Sequence, residues 1–242
     1  MNFNLKDKKV LITGATRGIG YSIASSFVKE GAKVTITGRK NINRFNTDLE
    51  IEDYIQLDSK NSQSTISFFS TIKKMRAFDI LINNLGINQI DFICNVKSKN
   101  FKEILFTNLE LPFELSKIVA NRMIKVKKGK ILNISSIWGI VTKENRTSYS
   151  VSKSALNGLT RSLSIDLAKY NILVNSLSPG IVNTDLTNKI LGSQVNKIKS
   201  QIPLKRLAET KDISPLALFL TSDLNNYITG QNIVIDGGYT AV

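Results

Sequence analysis

The stretch Val10-Leu11-Ile12-Thr13-Gly14-Ala15-Thr16-Arg17-Gly18-Ile19-Gly20 decides the fold of this chain. An apolar, β-branched run predicts a buried strand, and three glycines follow where that strand should turn into a helix beginning near Ile19. Glycine lets bare backbone approach a phosphate closely, and the positive end of the helix dipole favours the anion. Glycines also occur in tight turns that bind nothing, so it is the strand-turn-helix context that indicates a nucleotide site.

Six further apolar runs of strand length follow, with helical segments between them. They are 34–37, 54–57, 80–83, 131–135, 172–176 and 233–235. Strands that alternate with helices predict right-handed βαβ units and a parallel sheet covered on both faces. We therefore expect one α/β domain over residues 1–242, a doubly wound Rossmann fold with seven parallel strands. Residues of about 1–95 should mainly bind the nucleotide, and those of about 96–242 should carry the catalytic residues and a substrate lid.

Composition excludes several kinds of site. The chain has 242 residues, of which 42% are hydrophobic, and this suits one domain with a buried core. No stretch reaches the roughly 20 apolar residues of a membrane span, and residues 1–7 lack an apolar signal core, so we expect a soluble cytoplasmic protein. Cys94 is the only cysteine and histidine is absent. An intramolecular disulfide, histidine-ligated zinc and Ser-His-Asp or Cys-His chemistry are therefore excluded, and no metal is expected.

The charge balance is strongly basic, with 33 Lys+Arg against 19 Asp+Glu and a formal net charge of +14. Such a charge favours nucleic acid, anionic lipid or an acidic substrate without distinguishing among them. Because the lysines are scattered through the whole chain, a compositional bias of the genome explains the charge at least as well. No aromatic-interleaved basic stripe occurs, so we expect neither nucleic-acid nor membrane binding.

Three residues in the second half of the chain indicate proton chemistry. Tyr149 and Lys153 stand four residues apart in a predicted helix, and Ser136 lies thirteen positions before the tyrosine. Positions i and i+4 share a helix face, so Lys153 should favour the ionised form of a phenol whose ordinary pKa is about 10. Ser136 should hydrogen-bond a substrate oxygen on which negative charge develops. Alone, Tyr-x-x-x-Lys is more often a solvated helix face; with the glycine turn it indicates carbonyl reduction by a nicotinamide cofactor.

Two arginines bear on the choice of cofactor. The second predicted strand ends at residues 37–40 without the Asp or Glu that holds the adenosine ribose in NAD-binding proteins. Arg17 and Arg39 should instead hold a 2′-phosphate, for which the guanidinium fork is suited. An arginine at either position alone is more often an ordinary surface residue, but their joint placement favours NADP(H) over NAD(H). Asp58 and Ser59 should contact the adenine, although Asp58 would serve equally as a helix N-cap.

Two more turns should open toward the same pocket. Residues 83–86 (Asn-Asn-Leu-Gly) follow the fourth strand and residues 178–184 follow the sixth, and both are turn-forming by composition. The second turn should place backbone groups of Val182 against the nicotinamide amide. Residues 184–202 mix apolar positions with many polar neighbours and predict a mobile helical lid over the substrate, or else a plain surface excursion.

In these features the chain resembles the short-chain dehydrogenase/reductase superfamily over essentially its whole length. The matching motifs are Thr-Gly-x-x-x-Gly-x-Gly at 13–20, Asn-Asn-x-Gly at 83–86, Ser136, Tyr149-x-x-x-Lys153, Pro179-Gly180 and the tail at 229–238. The resemblance implies that Tyr149 is the acid/base, that Lys153 lowers its pKa and holds the ribose hydroxyls, and that Ser136 polarises the carbonyl. It also implies that Asn108 supports a proton-relay water.

The resemblance further implies a cofactor site and an assembly. The implied cofactor residues are Gly14, Thr16, Arg17, Gly18, Ile19, Gly20, Arg39, Asp58, Ser59, Asn84, Gly86, Tyr149, Lys153, Pro179, Gly180, Val182 and Thr184. The implied assembly is a homotetramer built by the long helices around 101–126 and 149–169.

Among members of the superfamily, the chain is most similar in pattern to 3-oxoacyl-acyl-carrier-protein reductases, which share the segment 202–206 and a C-terminal Asp-Gly-Gly. The implied substrate is a 3-oxoacyl thioester, and the implied carrier of the acyl group is acyl carrier protein, which is acidic. Part of a docking surface would come from Lys125, Lys127, Lys128 and Lys130. Leu85 departs from the usual alanine of the Asn-Asn-Ala-Gly turn, and Tyr170 stands where carrier-protein reductases tend to place an arginine. The segment 40–53 is short, so the helix between the second and third strands should be truncated or irregular.

Two other functions stay open at this point. The same residues serve superfamily members that oxidise or reduce a hydroxyl of a sugar or nucleotide sugar, and the two substrate classes differ in the lining of the pocket. Trp138, Ile140 and Val141 follow Ser136 and are apolar enough to hold an acyl chain, or else they belong to the core. A protein that senses NADP(H) without turnover is the third interpretation, against which the intact catalytic set argues.

Overall fold

The computed structural model of the protein describes residues 3–41, 47–185, 187 and 192–241. Among these residues, seven strands form one sheet in the order β3-β2-β1-β4-β5-β6-β7, and neighbouring strands are parallel throughout. The strands are β1 (Lys9–Ile12), β2 (Lys33–Gly38), β3 (Asp53–Gln56), β4 (Ile80–Asn83), β5 (Gly129–Ile134), β6 (Ile172–Pro179) and β7 (Asn232–Ile235). The predicted doubly wound parallel sheet is confirmed.

Helices connect the strands. They are α1 (Gly18–Lys29), α2 (Ser62–Lys74), α3 (Ser98–Leu105), α4 (Leu111–Val126), α5 (Thr147–Ala168), α6 (Val195–Gln201) and α7 (Thr210–Thr221). A π-helical turn, Phe106–Glu110, joins α3 to α4, and 3₁₀ turns lie at Ile93–Asn95, Ile137–Gly139 and Gly192–Gln194. The described residues between β2 and β3 contain no helix, as the short segment predicts. In the described part of the chain, none of the helices is long and apolar enough to cross a membrane.

The sheet separates two apolar cores. On one face, α1 and α7 pack together and bury side chains such as Phe27 and Ile213 against the strands. On the other face, α2, α4 and α5 bury Phe68, Leu115 and Leu167. Strands covered on both faces read as continuous apolar runs, and all four residues of β4 are buried. The order of the strands reverses between β1 and β4, which is where doubly wound sheets bind ligands.

A buried polar network fixes α5 against the sheet. Asn83 at the end of β4 donates through Nδ2 to Ser116 Oγ of α4 (3.1 Å) and to Asn133 Oδ1 of β5 (2.9 Å). Asn133 in turn donates to Thr160 Oγ1 of α5 (2.8 Å). Because buried polar groups are costly unless they are paired, this chain of bonds sets the position of α5 relative to β4 and β5.

The turn after β1 is bonded to the turn after β4. The Asn84 side chain donates from Nδ2 to the carbonyl oxygens of Thr13 (2.9 Å) and Gly14 (3.0 Å). The Thr13 hydroxyl accepts from the backbone N–H groups of Asn84 and Leu85, each at 3.0 Å. The approach is so close that a Cβ on Gly20 would lie 2.4 Å from Asn84 Nδ2 and 2.6 Å from the Gly14 carbonyl oxygen. Glycine is therefore required at position 20 by contact rather than by backbone angle.

Gly20→Ala should destabilise the protein by about 1–3 kcal/mol, because the new methyl group overpacks a site bounded by backbone. Gly158→Ala on α5 is the matched control, since its nearest non-neighbouring atom is 3.9 Å away, and alanine there should stabilise the helix by up to about 1 kcal/mol. Free energies of unfolding from urea titrations test both. Equal effects of the two substitutions would contradict the packing argument.

Candidate active site

One cavity of about 810 Å³ opens at the carboxyl ends of the strands and collects nearly every residue predicted to be functional. The predicted cofactor residues that line it are Gly14, Thr16, Arg17, Gly18, Ile19, Gly20, Arg39, Asp58, Ser59, Asn84, Gly86, Tyr149, Lys153, Pro179, Gly180, Val182 and Thr184. Ser136 lines it as well, whereas Asn108 does not. The lining comes from both halves of the chain, so the cavity runs from the glycine turn to the catalytic residues.

The glycine turn leaves the N-terminus of α1 available to an anion. Gly14 and Gly18 have φ angles of +64° and +60°, a region that other residues rarely adopt. Arg17 is the N-cap residue, but no side chain caps the helix and no acid lies in its first turn. The first backbone N–H groups of a helix have no partner within the helix, and the dipole there favours negative charge. This end of the cavity fits a phosphate.

Basic side chains line the cavity where the adenosine ribose is expected. Arg17, Arg39 and Lys40 lie on its wall, and the residues that end β2 and follow it, 38–41, include no acid. An NAD-type carboxylate is therefore missing at this place, and the arginines fit a phosphate on the ribose.

The alternative N-cap role of Asp58 is wrong. Asn61 is the N-cap of α2 and accepts from Ser64 N–H at 3.0 Å. Asp58 lies before the cap on the cavity wall, beside Ser59, whose hydroxyl accepts from Thr107 Oγ1 at 2.9 Å. Both residues remain candidates for contact with the adenine.

Lys153 is buried at the centre of the cavity floor. Its side chain lies one turn after Tyr149 on α5, and Nζ donates to the Ile134 carbonyl oxygen at the end of β5 (2.8 Å). Nζ is 5.7 Å from the centroid of the Tyr149 ring, and a Cβ on Gly86 would lie 3.5 Å from it. Burial lowers the pKa of Lys153 to about 8. The glycine at 86 keeps the ammonium open to the cavity.

Tyr149 has a raised pKa, contrary to the expectation from its spacing to Lys153. Burial raises it most, while a hydrogen bond from Ser136 and the positive charge of Arg146 lower it. The ammonium of Lys153 is hydrogen-bonded to the Ile134 carbonyl and not to the Tyr149 hydroxyl. That Lys153 favours the phenolate stays a prediction. Ser136 and Arg146 are the groups that offset burial.

Asn108 supports the cavity wall from behind. It is fully buried in the π-helical turn, where its Oδ1 accepts from Ile87 N–H and its Nδ2 donates to the Ile87 carbonyl, both at 2.9 Å. Nδ2 also donates to Ser152 Oγ of α5 at 3.0 Å. π-Turns are rare and occur often at functional sites. Asn108 thus fixes the backbone of Ile87, which does line the cavity.

An aromatic and cationic wall closes the end of the cavity beyond Tyr149. Trp138 meets Tyr239 edge to face with ring centroids 5.9 Å apart, and the Arg146 guanidinium lies 5.8 Å from the Trp138 centroid. Lys143 lines the same end. Sequence reasoning missed Arg146 and Tyr239. The spacing of three residues between Arg146 and Tyr149 was a usable signal, but nothing local marked Tyr239.

Two further sequence interpretations need correction. Ile140 and Val141 belong neither to the cavity nor to the core, because they are 49% and 37% exposed and only Trp138 of that group lines the cavity. The predicted lid, residues 184–202, includes residues 186 and 188–191, which lie outside the described residues. The part that is described ends in α6, whose Ile198 contributes to the cavity wall. A mobile lid stays a prediction.

Comparison with known proteins identifies relatives. A family profile described as enoyl-(acyl carrier protein) reductase matches residues 14–240. The 3-oxoacyl-(acyl-carrier-protein) reductase FabG of Buchnera aphidicola subsp. Acyrthosiphon pisum (strain APS) is 36% identical over 97% of this chain and 98% of its own. FabG of Escherichia coli (strain K12) is 35% identical over 97% and 98%. A gluconate 5-dehydrogenase from Burkholderia cenocepacia J2315, solved with NADP and tartrate, superposes with a TM-score of 0.90 at 27% identity over 100% and 98%.

The buried lysines should make stability rise with pH. Lys153 has a folded-state pKa of about 8 against an ordinary 10.5, so between these values the unfolded chain binds more protons than the folded one. Lys130 is also lowered to about 8 and acts in the same direction. We expect the free energy of unfolding to increase by on the order of 2 kcal/mol from pH 8 to 9.5 in urea titrations.

Lys153→Met should remove part of this rise, and Lys130→Met, away from the cavity, should remove another part. The titrations stay below pH 10, because at higher pH the raised pKa of Tyr149 makes the free energy of unfolding fall as the pH rises. The same rise in wild type and in both variants would contradict the burial argument.

Proposed function

The chain belongs to the short-chain dehydrogenase/reductase family, and from that membership we propose that it reduces a carbonyl group with NADP(H), the substrate being a 3-oxoacyl thioester. It is an NAD(P)-dependent oxidoreductase. One observation carries the more specific proposal: Ser136, Tyr149 and Lys153 converge on the cavity into which the glycine turn opens.

The wall of the cavity fits NADP(H) along its length. An uncapped helix N-terminus takes the pyrophosphate, and Arg17 and Arg39 take the 2′-phosphate. Two solved relatives, the gluconate 5-dehydrogenase and a protein named ElxO, are described with NADP bound. NADP(H) is therefore the cofactor of this chain, and when bound it supplies the hydride.

Ser136 and Tyr149 both act on the substrate oxygen. Ser136 is 7% exposed, is held by accepting from Trp138 N–H (3.2 Å), and lowers the pKa of the neighbouring Tyr149 phenol. In the reaction both hydroxyls hydrogen-bond the carbonyl oxygen, and Tyr149 gives its proton to the oxygen as charge develops there. Because the pKa of Tyr149 is raised, its phenol stays protonated at neutral pH, and a proton donor must start in this protonated form.

Lys153 and Arg146 act once the phenol has lost its proton. The resulting phenolate lies against two cationic side chains, so it is stabilised by both until it is protonated again. Lys153, titrating near pH 8, is also placed to hold the ribose hydroxyls beside Gly86. Asn108 fixes the Ile87 carbonyl oxygen, to which a relay water would donate a hydrogen bond.

The thioester assignment is supported by the curated relatives, several of which are named 3-oxoacyl-(acyl-carrier-protein) reductases at 34–38% identity over nearly the full chain. A sugar or hydroxy-acid substrate is the second candidate. It is favoured by the gluconate 5-dehydrogenase, which covers 100% of this chain at 27% identity. Parallel assays of both substrate classes distinguish the two.

Docking of acyl carrier protein has less support than the predicted lysine cluster suggested. Lys128 is paired with Asp223 at 3.1 Å, and half-buried Lys130 donates to the Asn225 carbonyl. Lys125 and Lys127 are the members of the cluster that form no ion pair with another described residue. We propose these two as part of the docking surface for an acidic carrier.

A homotetramer also stays a prediction. It is supported by exposed apolar side chains on α4 and α5, namely Phe113, Val126, Val151 and Ile165. The molar mass in solution, against 26.9 kDa for one chain, is the check.

Tyr149→Phe should lower kcat for reduction of a 3-oxobutanoyl thioester by about 10²–10⁴-fold, because the proton donor is lost. Binding of NADPH, followed by fluorescence, should change little. Tyr227→Phe is the matched control, since Tyr227 is 94% exposed and outside the cavity, and it should keep full activity. Wild-type activity in the Tyr149→Phe protein would refute the proposed role.

Arg39→Gln should raise KM for NADPH by about 10-fold or more, since a charge-assisted bond to the 2′-phosphate is worth roughly 1.5–3 kcal/mol. KM for NADH should not change, because NADH lacks that phosphate. Arg76→Gln, an exposed arginine outside the cavity, is the control. A parallel loss with both cofactors would show that Arg39 acts on folding and not on cofactor choice.

A further inference from the structure

Arg146 is a half-buried cation on the cavity wall that the proposed reaction uses only indirectly. It precedes Tyr149 by three residues at the start of α5, close enough for its charge to lower the pKa of the tyrosine. Burial lowers the pKa of Arg146 itself. Neither an ion pair nor a side-chain hydrogen bond joins Arg146 to another residue in the ranges that the structure describes. A partly desolvated guanidinium without an acidic partner is costly unless a ligand supplies one.

The guanidinium is held by an aromatic ring and not by a carboxylate. Its central carbon lies 5.8 Å from the Trp138 centroid, and Trp138 is braced by the edge-to-face contact with Tyr239. A cation held over a ring face keeps its N–H donors, which lie in the guanidinium plane, for other acceptors. All three residues line the cavity on the side of Tyr149. The site is thus built to present a planar fork of donors to whatever binds beside the tyrosine.

We propose that Arg146 binds a second oxygen of the substrate, a carbonyl or a carboxylate oxygen, a few bonds from the carbonyl that Tyr149 protonates. The enzyme then selects 3-oxoacyl compounds and oxo acids over isolated ketones. This inference rests on the proposed carbonyl reduction, but not on a particular thioester carrier. The pantetheine phosphate of a thioester substrate is not the acceptor, because the long pantetheine arm separates it from the reacting carbonyl.

The position of Arg146 relative to Tyr149 supports this geometry. Arg146 is the N-cap residue of α5, Tyr149 lies in its first turn, and both line the cavity, so the substituents nearest a substrate oxygen on Tyr149 come within reach of Arg146. In a 3-oxoacyl thioester the second carbonyl is separated from the first by one methylene carbon, and in an oxo acid the carboxylate takes the same place. A guanidinium fork accepts either, with a stronger bond to the carboxylate.

The test compares three substrates in wild type, Arg146→Met, Arg146→Lys and Lys143→Met. The substrates are a 3-oxobutanoyl thioester of N-acetylcysteamine, the carboxylate acetoacetate, and 2,2,2-trifluoroacetophenone, an electrophilic ketone without a second oxygen. Arg146→Met should lower kcat/KM for the thioester and for acetoacetate by about 10-fold to 100-fold, mainly through KM. The loss for trifluoroacetophenone should be several-fold smaller. Arg146→Lys should recover part of the loss, and Lys143→Met, the other cation at this end of the cavity, should leave the ratios among substrates unchanged.

The outcomes separate this inference from the proposed function. A larger loss for acetoacetate than for the thioester identifies a carboxylate as the preferred acceptor, and the reverse identifies the thioester carbonyl. An equal loss for all three substrates would show that Arg146 acts only through the pKa of Tyr149, and no loss would show that it binds nothing; both overturn the inference and leave carbonyl reduction standing. Failure of wild type to reduce any of the three overturns the proposed function and this inference with it. If Arg146→Met does not fold, the same comparison in Arg146→Lys decides.

Discussion

The whole site depends on the hydrogen bonds that join the turn after β1 to the turn after β4. Asn84 holds two carbonyl oxygens of the glycine turn, and the Thr13 hydroxyl holds two N–H groups of the β4 turn. This reciprocal arrangement sits at the reversal of strand order, so it joins the two halves of the sheet where the cavity opens. It also brings Gly86 beside Lys153, and thereby sets the distance between the phosphate end and the catalytic end.

At the catalytic end of the cavity, burial and neighbouring polar or charged groups shift the pKa of Tyr149 in opposite directions. Removal from water raises the pKa of Tyr149 and lowers that of Lys153, which weakens the charge on the lysine at the pH where the phenol must give up its proton. The site compensates with Ser136 and Arg146, whose hydrogen bond and charge both favour the phenolate. An arginine is suited to this, since it stays charged in an environment that would neutralise a lysine. Arg146 also lines the cavity, so by our proposal one cation links proton transfer to the choice of substrate.

The sequence predicted the fold well because each element carries its own local signal. Strands buried on both faces read as apolar runs, and the glycine turn needs Gly14 and Gly18 for their positive φ angles and Gly20 for its close contacts. The residues predicted to bind the cofactor line one cavity for the same reason, since most of them lie on the turns that end the strands. It did not predict the hydrogen bond of Lys153 to Ile134 or the wall formed by Trp138, Arg146 and Tyr239. These depend on how a strand end, a loop, a helix and the C-terminal segment pack together, and spacing along the chain does not encode such distances.

The most direct measurement of the central claim is isotope transfer. NADPH deuterated at C4 of the nicotinamide is incubated with the enzyme and a 3-oxobutanoyl thioester, and the product is analysed by mass spectrometry. Carbonyl reduction in this cavity predicts a 3-hydroxybutanoyl thioester that carries one deuterium at C3 from one face of the nicotinamide and none from the other. An unlabelled product with both deuterated forms, or no product while NADPH stays bound, would contradict the account.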